Sequence, residues 1–323
     1  MLQSTRCATP TTPHAVSATR AARIVPRAFF SRLGSVLSAL RPSQAGMALA
    51  TEKWWDANTV AVVTGSNKGI GFEAARMLAE QGLTVVLTSR DIEQGKAAVA
   101  KIKEAAPGAR VLLRQLDLAN AASVDSFATW LEQETGGLTI LINNAGFAYK
   151  GNIFGADEAQ TTININFAGT RHLTEKLVPL LQGPCPRIIN VSSRAGLRSI
   201  VKDKELLGRL TAATSPDQLA AMADEFVAGI RDGTYGKQGW PGSMYGTSKL
   251  LVSLWTAQLA AQLQGRHVMV NAMCPGWCRT DMSSQRGTKS AAEGADTAVW
   301  LALRSPKDFV TGGFWGERSS ISW

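Results

Sequence analysis

The chain has 323 residues, 45% hydrophobic and 18% charged, with a net charge of +9. That is ordinary globular composition, and it excludes a disordered, collagen-like or disulfide-scaffold protein. The charge sits at the N-terminus: residues 1–51 hold Arg6, Arg20, Arg23, Arg27, Arg32 and Arg41 and no acid.

The remaining residues carry 28 basic against 25 acidic groups, without a basic run of the kind that follows phosphates. No nucleic-acid partner is expected. The first 51 residues are rich in Ala, Ser and Thr and free of Lys, the composition of an organellar transit peptide or, failing that, a disordered leader. Composition leaves chloroplast and mitochondrion both open, and a mere tail would leave the protein in the cytoplasm. The domain proper is expected over 52–323.

From Thr59 onward, apolar runs alternate with amphipathic stretches, which predicts an α/β, doubly wound parallel sheet of seven strands in a single domain. Strands are expected at Val60–Val63, Thr84–Leu87, Val111–Gln115, Thr139–Ile142, Arg187–Val191 and His267–Ala272, with a seventh near Phe309–Trp315. Each is rich in Val, Ile or Leu, as strands buried on both faces are. Helices are expected over Ile70–Gln81, Asp91–Ala105, 121–134, 158–182, 245–264 and 290–304.

The alternation breaks between Val191 and Tyr245. Ser215-Pro216 is an N-cap and first-turn pair, and Leu219, Met222, Phe226 and Ile230 fall on one face, so a helical insertion is expected over about 197–242. The longest uncharged helical run, Leu250–Gly265, contains Gln258, Gln262 and Gln264. It falls short of the ~20 apolar residues of a membrane span. Cys185, Cys274 and Cys278 have no partner at zinc spacing and read as reduced thiols, with no metal site.

The first strand runs into Thr64-Gly65-Ser66-Asn67-Lys68-Gly69-Ile70-Gly71. Glycines in a strand-to-helix turn let a pyrophosphate approach the backbone N–H groups of a helix N-terminus. The second strand ends Thr88-Ser89-Arg90, where an NAD site would place an acid against the ribose 2′-hydroxyl. Arg90 and Lys68 are suited instead to a 2′-phosphate, so NADP(H) is the expected cofactor. Tyr245 and Lys249 lie at i and i+4 on one helical face, where an ammonium favours the phenolate and brings the phenol toward useful proton transfer. Ser192-Ser193 ends the preceding strand, at the edge where open α/β sheets bind ligands.

These residues, with Asn143-Asn144-Ala145-Gly146, Asn166 in Asn-Phe-Ala-Gly, Asn190-Val191-Ser192-Ser193 and Cys274-Pro275-Gly276-Trp277, form an ordered set. Over 55–323 it resembles the short-chain dehydrogenase/reductase family, in particular carbonyl reductases and plant-type members with a long insertion before the catalytic Tyr. The resemblance implies that Tyr245 donates a proton to a carbonyl oxygen that Ser193 hydrogen-bonds. It implies that Lys249 holds the nicotinamide ribose and lowers the Tyr245 pKa, and that Asn166 positions a water between Lys249 and solvent. It assigns the adenine contact to Asp117, the adenosine-side ribose to Asn144, and the turn over the nicotinamide to Pro275, Gly276 and Thr280.

Phe147, Trp240 and Trp277 flank these segments and are candidate substrate walls, or else core packing. The expected function is NADPH-dependent reduction of a small-molecule ketone, aldehyde or quinone. The alternative is a non-catalytic NADP-binding sensor or scaffold, which would need no proton donor. Plant-type resemblance favours the chloroplast. The insertion must leave the strand after Ser193 and return at Tyr245, which places it over the surface through which relatives pair and predicts a monomer.

Overall fold

The structure is a computed structural model that describes residues 53–323; the leader and its expected destination lie outside those residues. The apolar runs form β1 (Val60–Val63), β2 (Thr84–Ser89), β3 (Arg110–Gln115), β4 (Ile140–Asn143), β5 (Arg187–Val191), β6 (Met269–Met273) and β7 (Phe314–Gly316). Their spatial order is β3-β2-β1-β4-β5-β6-β7, all parallel, with chain order reversing between β1 and β4. A two-residue β8 (Ser319–Ser320) pairs antiparallel with β7 and was not expected.

Every residue of β1, β2, β4, β5 and β6 is buried. Alternate side chains face opposite layers, as the strand period requires. Val62, Val86, Leu141, Ile188 and Val270 enter one core with α3 (Ala121–Thr135), α4 (Ala156–Ile163), α5 (Thr170–Leu177) and α8 (Met244–Leu263). Ala61, Val63, Val85, Leu87 and Ile189 enter the other, with α1 (Gly69–Glu80), α2 (Ile92–Ala105) and α9 (Ala291–Leu303).

The insertion folds as two helices, α6 (Lys204–Ala212) and α7 (Pro216–Arg231). Ser215 and Gln218 cap α7 reciprocally, Ser215 Oγ accepting from Gln218 N at 3.3 Å and Gln218 Oε1 from Ser215 N at 3.2 Å. Leu219, Met222 and Phe226 are buried, worth ~1.5–3 kcal/mol each before ordering entropy, while Ile230 is half-buried at the end of the stripe. The sixth strand starts two residues later than expected, because His267 takes a left-handed φ of 55° after a 3₁₀ turn and stacks on Phe309 at 4.5 Å. The seventh shrinks to Phe314–Gly316: Gly312 turns the chain at φ 75°, and Asn271 Oδ1 accepts from Gly313 N.

Candidate active site

The glycine turn is built from β1 outward. Thr64 Oγ1 accepts from Asn144 N and Ala145 N, both at 2.9 Å, and Asn144 Nδ2 donates to the Thr64 and Gly65 carbonyls at 2.9 and 3.1 Å. The turn is thereby laced to the end of β4. A Cβ on Gly71 would lie 2.3 Å from Asn144 Nδ2, so only glycine admits that amide. Asn144, expected against a ribose, thus uses its NH2 to brace the turn.

Side chains cap α2, α3, α6, α7, α8 and α9. The N-terminus of α1 has no such cap and no acid in its first turn. Its leading N–H groups are open to an anion, the arrangement a pyrophosphate needs.

At the end of β2, Asp91 is occupied as the N-cap of α2: its Oδ1 accepts from Glu93 N and Gln94 N at 2.9 and 3.1 Å. Hydrogen bonds from Gln94 and Glu93 hold its carboxyl below the usual range. Arg90 beside it is exposed, without an acidic partner among the described residues. Lys68 is also exposed and pairs with Asp281 at 2.7 Å across the solvent, a contact worth little in water. Of the two cations expected at a 2′-phosphate, Arg90 is therefore exposed without an acidic partner among the described residues, whereas Lys68 is shared with Asp281.

Asn67 Nδ2 donates to Gln94 Oε1 at 2.9 Å, and Ile70 packs into the α1–α9 core. Asp117 is half-buried, one carboxylate oxygen accepting from Ala119 N at 3.0 Å. After β6, Pro275 and Gly276 turn the chain back, and the Thr280 methyl lies 3.5 Å from where a Cβ on Gly69 would stand. Thr280 thus sits against the glycine turn.

Ser193, two residues past β5, accepts from Ala195 N at 3.1 Å, which leaves its hydroxyl proton for another acceptor. The following turn lies directly on α8: a Cβ on Gly196 would come within 2.5 Å of Leu250 N, and one on Gly246 within 2.7 Å of the Ala195 carbonyl. This contact closes the 52-residue gap between Ser193 and Tyr245. Burial pushes the Tyr245 phenol up to about 12, with the Ser193 hydroxyl acting the other way.

Lys249 is buried, donates to the Val191 carbonyl at 2.7 Å and is pushed down to about 8 by burial. Its Nζ stands 5.8 Å from the Tyr245 ring centroid. The expected net lowering of the phenol is therefore corrected: burial outweighs the opposing Ser193 hydroxyl, and the phenol keeps its proton at neutral pH.

Asn166 lies buried in a π-helical turn, Asn164–Gly169, between α4 and α5. Such bulges recur at functional sites. Its Oδ1 accepts from Phe147 N at 2.7 Å, and its Nδ2 donates to the Phe147 carbonyl at 2.8 Å and to Ser248 Oγ at 2.9 Å. The amide clamps a neighbouring loop instead of reaching Lys249. Gly146 lies between them, since a Cβ there would be 3.4 Å from Lys249 Nζ and 3.5 Å from Asn166 Oδ1.

Among the expected substrate walls, Phe147 is half-buried and meets Tyr149 edge-on at 4.8 Å. Trp277 is 57% exposed after β6. Trp240 is corrected to core: 3% exposed, it packs on Phe226 at 5.2 Å. Sequence reasoning missed Ile153, Phe154 and Met282, exposed apolar residues on the same two loops, whose apolar character out of helical or strand period was the available signal. It also missed Ser248, which sits inside the Tyr–Lys segment. No group of three or more His, Cys, Asp or Glu suited to a metal occurs among the described residues, where Cys185, Cys274 and Cys278 are free and buried. Nor is any described helix long and apolar enough to cross a membrane.

The short chain dehydrogenase family profile matches residues 59–203 and 233–291. Carbonyl reductase (NADPH) 1 of Bos taurus is 38% identical over 280 residues, covering 82% of this chain and 99% of that protein. Salutaridine reductase from Papaver somniferum superposes with a TM-score of 0.73 at 31% identity, covering 80% of this chain and 99% of that one. Menthone neomenthol reductase from Mentha piperita gives 0.69 at 29% identity, covering 79% and 97%.

Proposed function

The chain belongs to the short-chain dehydrogenase family, and from that premise we propose that it is an NADPH-dependent carbonyl reductase acting on a ketone, aldehyde or quinone. The observation that carries this reading is the convergence of Ser193, Tyr245 and Lys249 beside a helix N-terminus left uncapped. NADP(H) would be held by the turn from Gly65 through Asn67, Lys68, Gly69 and Ile70 to Gly71, by Arg90, Asp117 and Asn144, and by Pro275, Gly276 and Thr280. When bound it supplies the hydride.

The chain's own residues manage the proton. Tyr245 Oη, protonated at neutral pH because burial raises its pKa, delivers the proton to the substrate oxygen. Ser193 Oγ donates a hydrogen bond to that same oxygen and fixes it in front of the phenol. The Lys249 ammonium has one N–H on the Val191 carbonyl and two left for the nicotinamide ribose. Its charge stabilises the phenolate as the proton leaves. The polar gap at Gly146, between Lys249 Nζ and Asn166 Oδ1, suits a water that returns the proton from solvent. Phe147 and Trp277 border the substrate.

The decisive test is NADPH oxidation with a panel of carbonyl compounds. Tyr245→Phe should lose ~10²–10⁴-fold in turnover while still binding NADPH. Near-wild-type turnover in that variant would end the assignment, and a wild type inert toward every carbonyl would favour the sensor reading.

The same reading includes a monomer, supported by the burial of Leu219, Met222 and Phe226 within the body. A stable dimer in light scattering at micromolar concentration would refute it. It also includes a chloroplast destination directed by residues 1–51, which a reporter fusion left in the cytosol would overturn.

A further inference from the structure

Ser248 lies one turn beyond Tyr245 and is wholly buried. Its Oγ accepts from Asn166 Nδ2 at 2.9 Å and donates to the Tyr245 carbonyl at 2.8 Å. Asn166 gives its other bonds to the Phe147 backbone, accepting from N at 2.7 Å and donating to O at 2.8 Å. The result is one continuous run of hydrogen bonds: Phe147 backbone, Asn166 amide, Ser248 hydroxyl, Tyr245 carbonyl.

An asparagine amide has two N–H groups, and both are satisfied here. The hydroxyl accepts from the amide at one end and donates to the Tyr245 carbonyl at the other, so it couples the amide to the helix that carries Tyr245. Three separate segments are joined: the loop after β4, the π-helical turn and the first turn of α8. Buried polar runs of this kind hold a single arrangement when every member is satisfied and loosen when one is lost.

We propose that Ser248 is a positioning residue that sets the proton donor Tyr245 against the substrate loop at Phe147 by acting through Asn166; this rests on the reading of Tyr245 given above. Ser248 touches neither substrate nor cofactor. Removing its oxygen leaves a buried Asn166 N–H without an acceptor, so the amide turns and the Phe147 backbone is released. NADPH binding, built on the glycine turn and Arg90, is untouched.

The test is a double-mutant comparison on the full chain, reading kcat/KM for a carbonyl substrate and the NADPH dissociation constant. Ser248→Ala should lower kcat/KM about three- to tenfold, the span expected for one net buried hydrogen bond, with NADPH affinity within about twofold of wild type. Ser248→Thr, which keeps the hydroxyl, should recover most of the loss. Ser248→Ala combined with Asn166→Ala should be no slower than Asn166→Ala alone, because both changes break the same run.

Multiplying effects, or wild-type kcat/KM in Ser248→Ala, would overturn the inference. Tyr245→Phe is assayed alongside: were it active, the proton-donor reading would fall, whereas its inactivity beside a normal Ser248→Ala sinks only the role of Ser248. Should Ser248→Ala not fold, Ser248→Cys, with its weak donor and acceptor, supplies the same comparison.

Discussion

Gly196 seats on the backbone N of Leu250, and Gly246 on the Ala195 carbonyl: neither the turn after Ser193 nor the helix bearing Tyr245 could approach so closely with a Cβ at these glycines. Gly196→Ala would place a methyl 2.5 Å from Leu250 N, where the nearest atoms are backbone and cannot rotate aside. The expected cost is ~1–3 kcal/mol of stability, the range for overpacking. Because the displaced turn carries Ser193, turnover should fall further, on the order of 10²-fold. Thermal unfolding and kcat on the same preparation check both, and unchanged kcat would mean the turn is not what aligns Ser193.

Burial sets an alkaline limit. Lys249, pushed down to about 8, loses its charge as pH rises through that value, so kcat/KM for NADPH, which reports the free enzyme, should decline above about pH 8. Tyr245, held up to about 12, keeps its proton throughout that range and imposes no limb of its own.

Stability follows the same groups with opposite signs. From about 8 up to the ordinary lysine value of 10.5, the unfolded chain binds a proton that folded Lys249 has lost, so stability rises with pH. From 10 to about 12 the folded Tyr245 holds the extra proton, and stability falls. Denaturant midpoints across pH 7–12 for wild type, Lys249→Met and Tyr245→Phe would separate the two contributions.

Arg90→Asp should reverse cofactor preference. It removes a cation with no acidic partner among the described residues and puts a carboxylate at the end of β2, where Asp91 is already occupied by capping α2. Loss of a charge-assisted hydrogen bond predicts about 10–100-fold weaker NADPH binding, with NADH binding gained or unchanged. Equal use of NADH and NADPH by the wild type would defeat the argument.

Trp240 and Trp277 should behave as opposites. Trp240→Ala empties a core site against Phe226 and should cost ~3–5 kcal/mol, seen as a large drop in Tm. Trp277→Ala, at a side chain 57% exposed, should leave Tm nearly unchanged and raise KM for the carbonyl compound. A stability loss at Trp277 equal to that at Trp240 would remove it from the substrate rim.

The parallel strands were legible because burial on both faces writes short, mostly apolar runs, as in Val60–Val63 and the Ile188-Ile189 pair of β5. Ser215-Pro216 announced α7 by local chemistry alone. What stayed hidden depends on contacts between distant segments. The helix expected over 158–182 carries a π-helical turn because Asn166 must reach Phe147 and Ser248, and no local pattern encodes those partners. Trp240 looked like a wall because it stands near Tyr245 in sequence, yet its ring turns inward to Phe226. The charged states of Tyr245 and Lys249 could not be read from their i, i+4 spacing, since desolvation is set by everything packed around them.

Helix α8 is buried along most of its length, from Met244 through Thr256 with only Tyr245 partly exposed. Its amide hydrogens should therefore exchange with solvent only when the whole molecule opens, among the slowest in the chain. Tyr245 and Lys249 ride on that element. Any opening that admits substrate and releases product must then come from the loops after β4 and β6, and the clock of the catalytic cycle would be found in their exchange, not in that of the catalytic helix.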